Sequence, residues 1–368
     1  MEFSFTEEQR AVADLATSLF REHGSDEHVR KLAQDHVKLD AALWTQLQET
    51  GLLNLTLPSD LSGSGMGMQE AALVLQQQGR HLAAAPLWSH QLATLALAVH
   101  GQPALRERVL AGMVSGQEIA TLATELHAHA GLHAQQSAQG WLLNGRLEAV
   151  VLEDFHAHLL LAAQTTQGSR LFVVSCTRPG MQRTQGALTD HQTVCDLSFN
   201  NVLLPGDSLL AIDAMAWLEP RMACCLAALQ LGVVEEALHR AAAYVGERHQ
   251  FGRPLGSFQA LAVRAADSYI EVELLRSALW QLAWRIDQGL PATAAGRVAK
   301  YQCAQAGYIV GHTAIHFHGG VGADLQYPVH RFYLKSQALS LMGGGAQEQL
   351  ARIGHELADG AFEEYQYE

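Results

Sequence analysis

Two short segments contain residues suited to binding a ligand that carries negative charge. Arg248 has Phe251 three residues after it. An arginine can clamp phosphate oxygens with a planar fork of donors, and a phenylalanine ring can cover an adenine. Gly319 and Gly320 are consecutive, and glycine lets the backbone approach a ligand because it has no Cβ. The same residues also fit a cation at a helix C-terminus and a simple turn, so both interpretations stay open at this point.

The histidines and cysteines give weaker evidence for a functional site than these two segments. Two histidine sets could be interpreted as metal ligands, and neither has an HExxH pattern. These sets are His127, His129 and His133 with Glu125, and the pair His312 and His316. We interpret the first as a polar loop and the second as helix packing, and predict no metal site. The five cysteines form no CxxC pair, so neither a zinc site nor a disulfide framework is expected.

Composition narrows the class of protein. Of the 368 residues, 48% are hydrophobic and only 17% are charged, which excludes a disordered chain and suggests surface buried against other subunits. The formal net charge of −13, without a Lys/Arg-rich run, argues against nucleic acid or an anionic membrane as partner. We expect no signal peptide, no membrane-spanning run and a cytoplasmic location.

The pattern of apolar residues predicts which elements carry the two segments. Helical periodicity covers the N-terminal part, where Thr6 is a good N-cap. Short apolar runs separated by turn residues follow and predict strands, and helical periodicity then returns, interrupted at the glycines near 319 and 343. The expected fold is mainly α with a central β-domain. Its predicted domains are an N-terminal helical domain (1–117), a middle β-barrel (118–208) and a C-terminal four-helix bundle (209–368).

Four motifs in the expected order resemble those of the acyl-CoA dehydrogenases, flavoenzymes that desaturate acyl thioesters. Arg248, Phe251 and Gly252 match an R-x-x-F-G pattern, and Gln259 follows the phenylalanine by eight residues. The resemblance extends over nearly the whole chain and includes three further segments. These are AIHFHGGVGADLQYPVHR (314–331), FNNVLLP (199–205) and PSDLSGSGMGMQEAALVLQQQGR (58–80).

The resemblance implies FAD as cofactor and an acyl-CoA as substrate. It assigns a flavin-binding role to six positions, which in this family reach the flavin of a neighbouring subunit. These are Arg248, Phe251, Gln259, His316 (in place of the family's glutamine), Gly319 and Gly320. The elements that hold the flavin ring within the same subunit are mostly absent. The family's T-E-P-x-A-G-S-D segment is reduced to Thr124-Glu125, and its W-I-T strand aligns with Ala149-Val150-Val151.

The two positions that hold the catalytic base in this family contain no carboxylate. They correspond to Gly343, which is 24 residues after Gly319, and to Met222. Glu348 is the remaining candidate, provided that the glycine loop before it differs from the family's. Glu235 and Glu236 fit a solvated helix face.

This combination is similar to the degenerate subunit of heteromeric bacterial acyl-CoA dehydrogenases that shorten sterol and steroid side chains. We therefore expect a partner subunit for α,β-dehydrogenation of a CoA thioester, in a heterotetramer with a homologous chain or in a homo-oligomer built through the C-terminal helices. An electron-transfer flavoprotein-like acceptor is a further expected partner. Two alternatives remain: a homomeric FAD-dependent enzyme with a relocated base, and a non-catalytic structural subunit.

Overall fold

The structure, a computed structural model, describes residues 4–35, 37–123 and 131–360. The chain divides into two compact units. The first comprises Met1–Asp35, Gly67–Ala83 and Ala223–Glu368, and the second comprises His36–Met66 and Ala84–Met222. The division into 1–117, 118–208 and 209–368 stays a prediction. The expected fold class, mainly α with a central β-domain, is confirmed.

The first unit is helical. Its first helix begins as the sequence predicts: the Gln9 backbone N–H donates to Thr6 Oγ1 at 3.2 Å, and the Thr6 N–H donates to Gln9 Oε1 at 3.0 Å, which makes a capping box. The helices of this unit are α1 (Glu7–His23), α2 (Asp26–Gln34), α4 (Met68–His81), most of α7 (Ala214–Glu247), α8 (Gln259–Asp287), α9 (Thr293–His318), α10 (Val329–Leu341) and α11 (Ala346–Ala358).

A carboxylate from elsewhere in the sequence caps α4. Its N-cap residue is Gly67, which has no side chain, and the Asp287 carboxylate at the end of α8 takes over that role. Asp287 accepts the backbone N–H of Met68 at 2.6 Å and that of Gln69 at 3.0 Å. A Cβ at position 67 would lie 2.6 Å from this carboxylate, so the glycine makes room for the cap.

The second unit contains the sheet, three helices and the start of α7. The helices are α3 (Ala41–Glu49), α5 (Leu87–His100) and α6 (Pro103–Val114). The strands are β1 (Ile119–Leu122), β2 (Leu132–Ser137), β3 (Gly140–Val151), β4 (His156–Thr165), β5 (Gly168–Ser175), β6 (Met181–Ala187) and β7 (Thr193–Leu204).

These seven strands form one mixed sheet with the order β1-β4-β2-β3-β7-β6, and β5 also pairs with β4. β4 runs parallel to β1 and β2, and the other pairs are antiparallel. Leu143, Leu159 and Phe172 lie in the fully buried core. The edge strand β6 is largely exposed and has no run of apolar residues that would announce it in the sequence.

One helix is long and apolar enough to cross a bilayer, contrary to the expectation from sequence. This helix is α7, and 78% of its most apolar window is buried inside the protein. Its apolar composition is therefore explained by packing.

Candidate functional site: an exposed cofactor half-site

The segment that contains Arg248 and Phe251 forms a tight hairpin after α7. Strands β8 (His249–Gln250) and β9 (Arg253–Pro254) are joined by Phe251 and Gly252, whose φ angles are +54° and +79°. Positive φ at both turn residues is the geometry of a type I′ turn. The aromatic residue in this strained conformation is 87% exposed, and such strain is typical of functional positions.

Arg248 lies between α7 and this hairpin. Its backbone closes the last turn of the helix through the Tyr244 carbonyl at 2.9 Å, and its own carbonyl accepts the Leu255 N–H at 2.8 Å. The side chain is exposed. Among residues 4–35, 37–123 and 131–360 its guanidinium has no hydrogen-bond or ion-pair partner. The backbone is therefore fixed while the charge remains available for a ligand.

The glycine pair ends α9 in a turn. Gly319 has φ +60° and ψ −138°, a conformation that is costly for residues with a Cβ. A Cβ built on either Gly319 or Gly320 would meet no atom within 4 Å. No described residue therefore covers this turn, and a ligand or another chain can approach the backbone there.

Packing of three helix ends brings the two segments together. The Tyr244 ring near the end of α7 stacks on the His318 ring at the end of α9, with 4.4 Å between centroids. α8, which begins at Gln259, packs along α9, and Arg264 Nε donates to Thr313 Oγ1 at 3.3 Å. We call the six exposed residues at these ends the half-site: Arg248, Phe251, Gln259, His316, Gly319 and Gly320.

Comparison with known proteins identifies the family. The chain matches the acyl-CoA dehydrogenase N-terminal domain over residues 6–117 and the acyl-CoA dehydrogenase C-terminal domain over residues 218–358. It is 35% identical over 370 residues to acyl-CoA dehydrogenase FadE27 of Mycobacterium tuberculosis, covering 98% of this chain and 99% of that protein. The chain belongs to the acyl-CoA dehydrogenase family. It is an oxidoreductase of this family, whose cofactor is FAD.

Two solved structures are similar over nearly their full length. A chain of the ChsE4–ChsE5 complex from Mycobacterium tuberculosis is 36% identical, with a TM-score of 0.92 and coverage of 98% of this chain and 99% of that one. A chain from a variant of the Tcur3481–Tcur3483 steroid ACAD is also 36% identical, with a TM-score of 0.91 and coverage of 96% and 99%. Each of these two structures carries a pair of names, and the first is described as a complex.

The residue types of the half-site are those that could hold the pyrophosphate end of a dinucleotide. They include a guanidinium without a partner among the described residues, an exposed aromatic ring and a glycine turn. Arg248 would hold the two phosphate charges, and the Gly319–Gly320 backbone would contact the same region closely.

The ring end of the cofactor has no comparable set of residues in the described part of the sheet. Where the family has its W-I-T strand, this chain has a bulge in β3. Ala149 adopts φ +50° there, and its N–H donates to Asp196 Oδ1 at 2.9 Å. That N–H is consequently satisfied within the protein. The residual Thr124-Glu125 and the histidines at 127 and 129 lie outside the described residues.

Neither family position of the base holds a carboxylate itself, although a Cβ built on Gly344 would lie 3.0 Å from the Glu348 carboxylate. Met222 is apolar and 5% exposed. Gly343 and Gly344 have φ +71° and +97°, and Gln349 Nε2 donates to their carbonyls at 3.0 and 3.4 Å. The loop between α10 and α11 is thus held by its backbone.

The candidate base Glu348 lies in the first turn of α11. Its carboxylate is paired with Arg352 one turn later, and the side chain is 43% exposed. This pairing ties the carboxylate to its own helix. Glu348 therefore remains a candidate by position alone.

Two other carboxylates on α7 are engaged in ion pairs and are not on a solvated face as the sequence suggested. Glu235 accepts from Arg80, from Arg276 at 2.6 Å and from Gln76 at 2.8 Å, and Glu236 accepts from Arg240 at 2.7 Å. The partners of Glu235 come from α4 and α8, which the α7 sequence does not reveal. Its role is to hold helices together.

The structure also brings together three residues to which the sequence analysis assigned no role. The cluster of Tyr244, His318 and Tyr327 lies directly beneath the half-site, and His318 is only 3% exposed. The sequence marks His318 only as the neighbour of Gly319. Tyr327 lies nine residues after it in the same segment and Tyr244 lies 74 residues before it, and neither spacing indicates a ring contact.

Proposed function

We propose that this chain is one subunit of a heteromeric acyl-CoA dehydrogenase and that it completes the FAD site of a homologous partner subunit. The observation that carries the proposal is an asymmetry. All six residues of the half-site are present and exposed, while Gly343 and Met222 leave both base positions without a carboxylate. An exposed half-site needs a second surface to enclose the cofactor.

The substrate class proposed is a CoA thioester with a bulky acyl group, such as a steroid side chain. Support comes from the similarity to a steroid ACAD and to the ChsE4–ChsE5 complex. FAD, when bound, supplies the hydride acceptor for dehydrogenation. The partner would supply the base that removes the α-proton, and this chain would hold the pyrophosphate through Arg248. An electron-transfer flavoprotein-like acceptor and a cytoplasmic location complete the proposal.

Exposed apolar residues on α8 support assembly through the C-terminal helices. Val263, Tyr269, Ile270 and Leu274 are each about half exposed or more. Exposed apolar surface of this kind is typical of interaction sites. A chain that is colourless alone, forms a larger species by light scattering and becomes yellow with a co-expressed homologous chain agrees with the proposal. A yellow, active homo-oligomer contradicts it.

Replacing Arg248 with alanine is expected to lower the flavin content of the assembly while leaving the fold intact. A charge-assisted contact contributes about 1.5–3 kcal/mol, which corresponds to roughly 10- to 150-fold in FAD affinity. The matched control is Arg253→Ala, on the same hairpin, whose guanidinium covers the Phe258 ring at 4.0 Å. The flavin-to-protein absorbance ratio is measured for both variants. Full flavin retention in Arg248→Ala would show that Arg248 does not bind the cofactor.

Activity should require the partner and should not depend on Glu348. Loss of a general base costs about 10²–10⁴-fold in rate, so the chain alone should turn over acyl-CoA slowly with an artificial acceptor. The assay compares the chain, its Glu348→Gln variant and the co-purified assembly. Robust turnover by the chain alone that disappears in Glu348→Gln would establish instead the homomeric enzyme with a relocated base.

The non-catalytic alternative is tested in the same assembly. A purely structural subunit would allow Arg248→Ala and Phe251→Ala to retain both flavin and turnover. Loss of flavin in either variant, with assembly unchanged by light scattering, supports a direct contribution to the cofactor site.

A further inference from the structure

We propose that His318 is a positioning residue that holds the Gly319–Gly320 turn and Arg248 in their flavin-binding arrangement, and that it does so only as a neutral imidazole. The proposal concerns a residue with no role in the half-site itself. It rests on the proposed FAD site and adds a dependence of that site on one buried proton.

The hydrogen bonds of His318 define its tautomer. Its Nδ1 lies 2.7 Å from the Ala314 carbonyl, and a carbonyl only accepts, so Nδ1 carries the proton. Nε2 is buried and has no hydrogen-bond partner among the described residues. In the neutral ring Nε2 is an acceptor without a hydrogen atom. Burying it unpaired costs less free energy than burying an unpaired N–H donor or a charge.

The ring joins the two parts of the half-site. One face stacks on Tyr244 at 4.4 Å, and the Tyr244 carbonyl accepts the backbone N–H of Arg248 one turn later. His318 is also the residue that directly precedes Gly319. The His318 Cβ lies 3.2 Å from the position that a Cβ on Gly322 would occupy. A displacement of the ring therefore moves the end of α7 and the glycine turn together.

Burial is the larger influence on the His318 ring and opposes its charged form, whereas the hydrogen bond to the Ala314 carbonyl acts in the opposite direction. The titratable groups facing it are the phenols of Tyr244 from α7 and Tyr327 from the segment before α10, the latter 5.1 Å away between centroids. No carboxylate among the described residues contributes to its titration, and burial lowers the pKa of His318. Protonation would place a buried N–H and a positive charge where no acceptor is available.

The first test uses the chain alone and does not depend on flavin. Long-range ¹H–¹⁵N spectra of the histidine-labelled protein should show His318 as the neutral Nδ1–H tautomer at pH 7.5. A charged ring or an Nε2–H tautomer at that pH would overturn the proposal, whatever the fate of the proposed function.

The second test measures FAD affinity of the co-purified assembly from pH 7.5 down to 4.5, with circular dichroism checking that the fold persists. Below the lowered pKa of His318, release on protonation of one site raises the dissociation constant by up to about tenfold per pH unit. His318→Asn keeps an amide donor for the Ala314 carbonyl but cannot titrate, so this dependence should be lost. The control His239→Gln, an exposed histidine of α7, should retain it.

Two outcomes would contradict the role. One is an unchanged pH dependence in His318→Asn. The other is tighter binding at low pH that requires His318, which would mean that the tyrosine rings stabilise its charged form. Failure of Arg248→Ala to release flavin would instead count against the proposed function, and the tautomer measurement would still stand.

Discussion

At the scale of single residues, the half-site depends on backbone conformations that only some side chains tolerate. Gly319 is the clearest example because of its positive φ. Phe251 adopts positive φ despite its Cβ. Nearly all of its surface is exposed, so the ring is available for a contact outside the chain.

Gly319→Ala is expected to destabilise the protein by about 1–3 kcal/mol, since a Cβ is disfavoured at this φ and ψ. The matched control is Gly320→Ala, which has the same open surroundings and no positive φ, and it should change stability by much less. Urea unfolding monitored by circular dichroism measures both. Equal destabilisation by the two variants would mean that the turn conformation is not the cause.

At the scale of elements, features formed by residues close together in the sequence could be predicted. Features formed by contacts between distant segments could not. The capping box of α1 was predictable because its two partners, Thr6 and Gln9, are three residues apart. The half-site residues could be chosen from their motif spacing. Their meeting point depends on Tyr244 stacking on His318 and on α8 packing along α9, and sequence spacing does not specify such contacts between elements. The bulge at Ala149 likewise depends on Asp196, 47 residues away.

The cap of α4 by Asp287 is a contact between elements with a measurable contribution. Asp287→Ala leaves two backbone N–H groups without their acceptor and should lower the free energy of unfolding by about 1–2 kcal/mol. Asp267→Ala, at an exposed position of the same helix, serves as control and should be nearly neutral. Equal midpoints in urea for the wild type and Asp287→Ala would show that water replaces the cap without cost.

At the scale of the whole molecule, buried neutral histidines should make stability depend on acid. Burial lowers the pKa of His90 and of His156 to about 4. In His90 both ring nitrogens are engaged: Nε2 donates to the Met113 carbonyl at 3.1 Å, and Nδ1 accepts the Ala120 N–H at 3.0 Å. Protonation of Nδ1 would break the second bond.

The direction of the effect follows from proton uptake. Between pH 6.5 and 4 the unfolded chain binds more protons at these histidines than the folded one, so stability is fully present above pH 6.5 and falls towards pH 4. Each histidine contributes on the order of 3 kcal/mol to this loss. Urea unfolding at a series of pH values measures it. His90→Gln should flatten the curve, whereas His133→Gln, at an exposed position of β2, should leave it unchanged.

The hydrogen bonds from Gln349 to the carbonyls of Gly343 and Gly344 have a consequence for evolution. Two of the four glycine codons become glutamate codons by one nucleotide change, so under the proposed function a carboxylate at position 343 can lie one mutation away. The restored side chain would start from a backbone with φ +71° and from carbonyls already bound to Gln349. A Cβ at the next position would lie 2.7 Å from the same amide. Reversal therefore requires several coordinated changes, and under the proposed function two diverged subunits become dependent on each other.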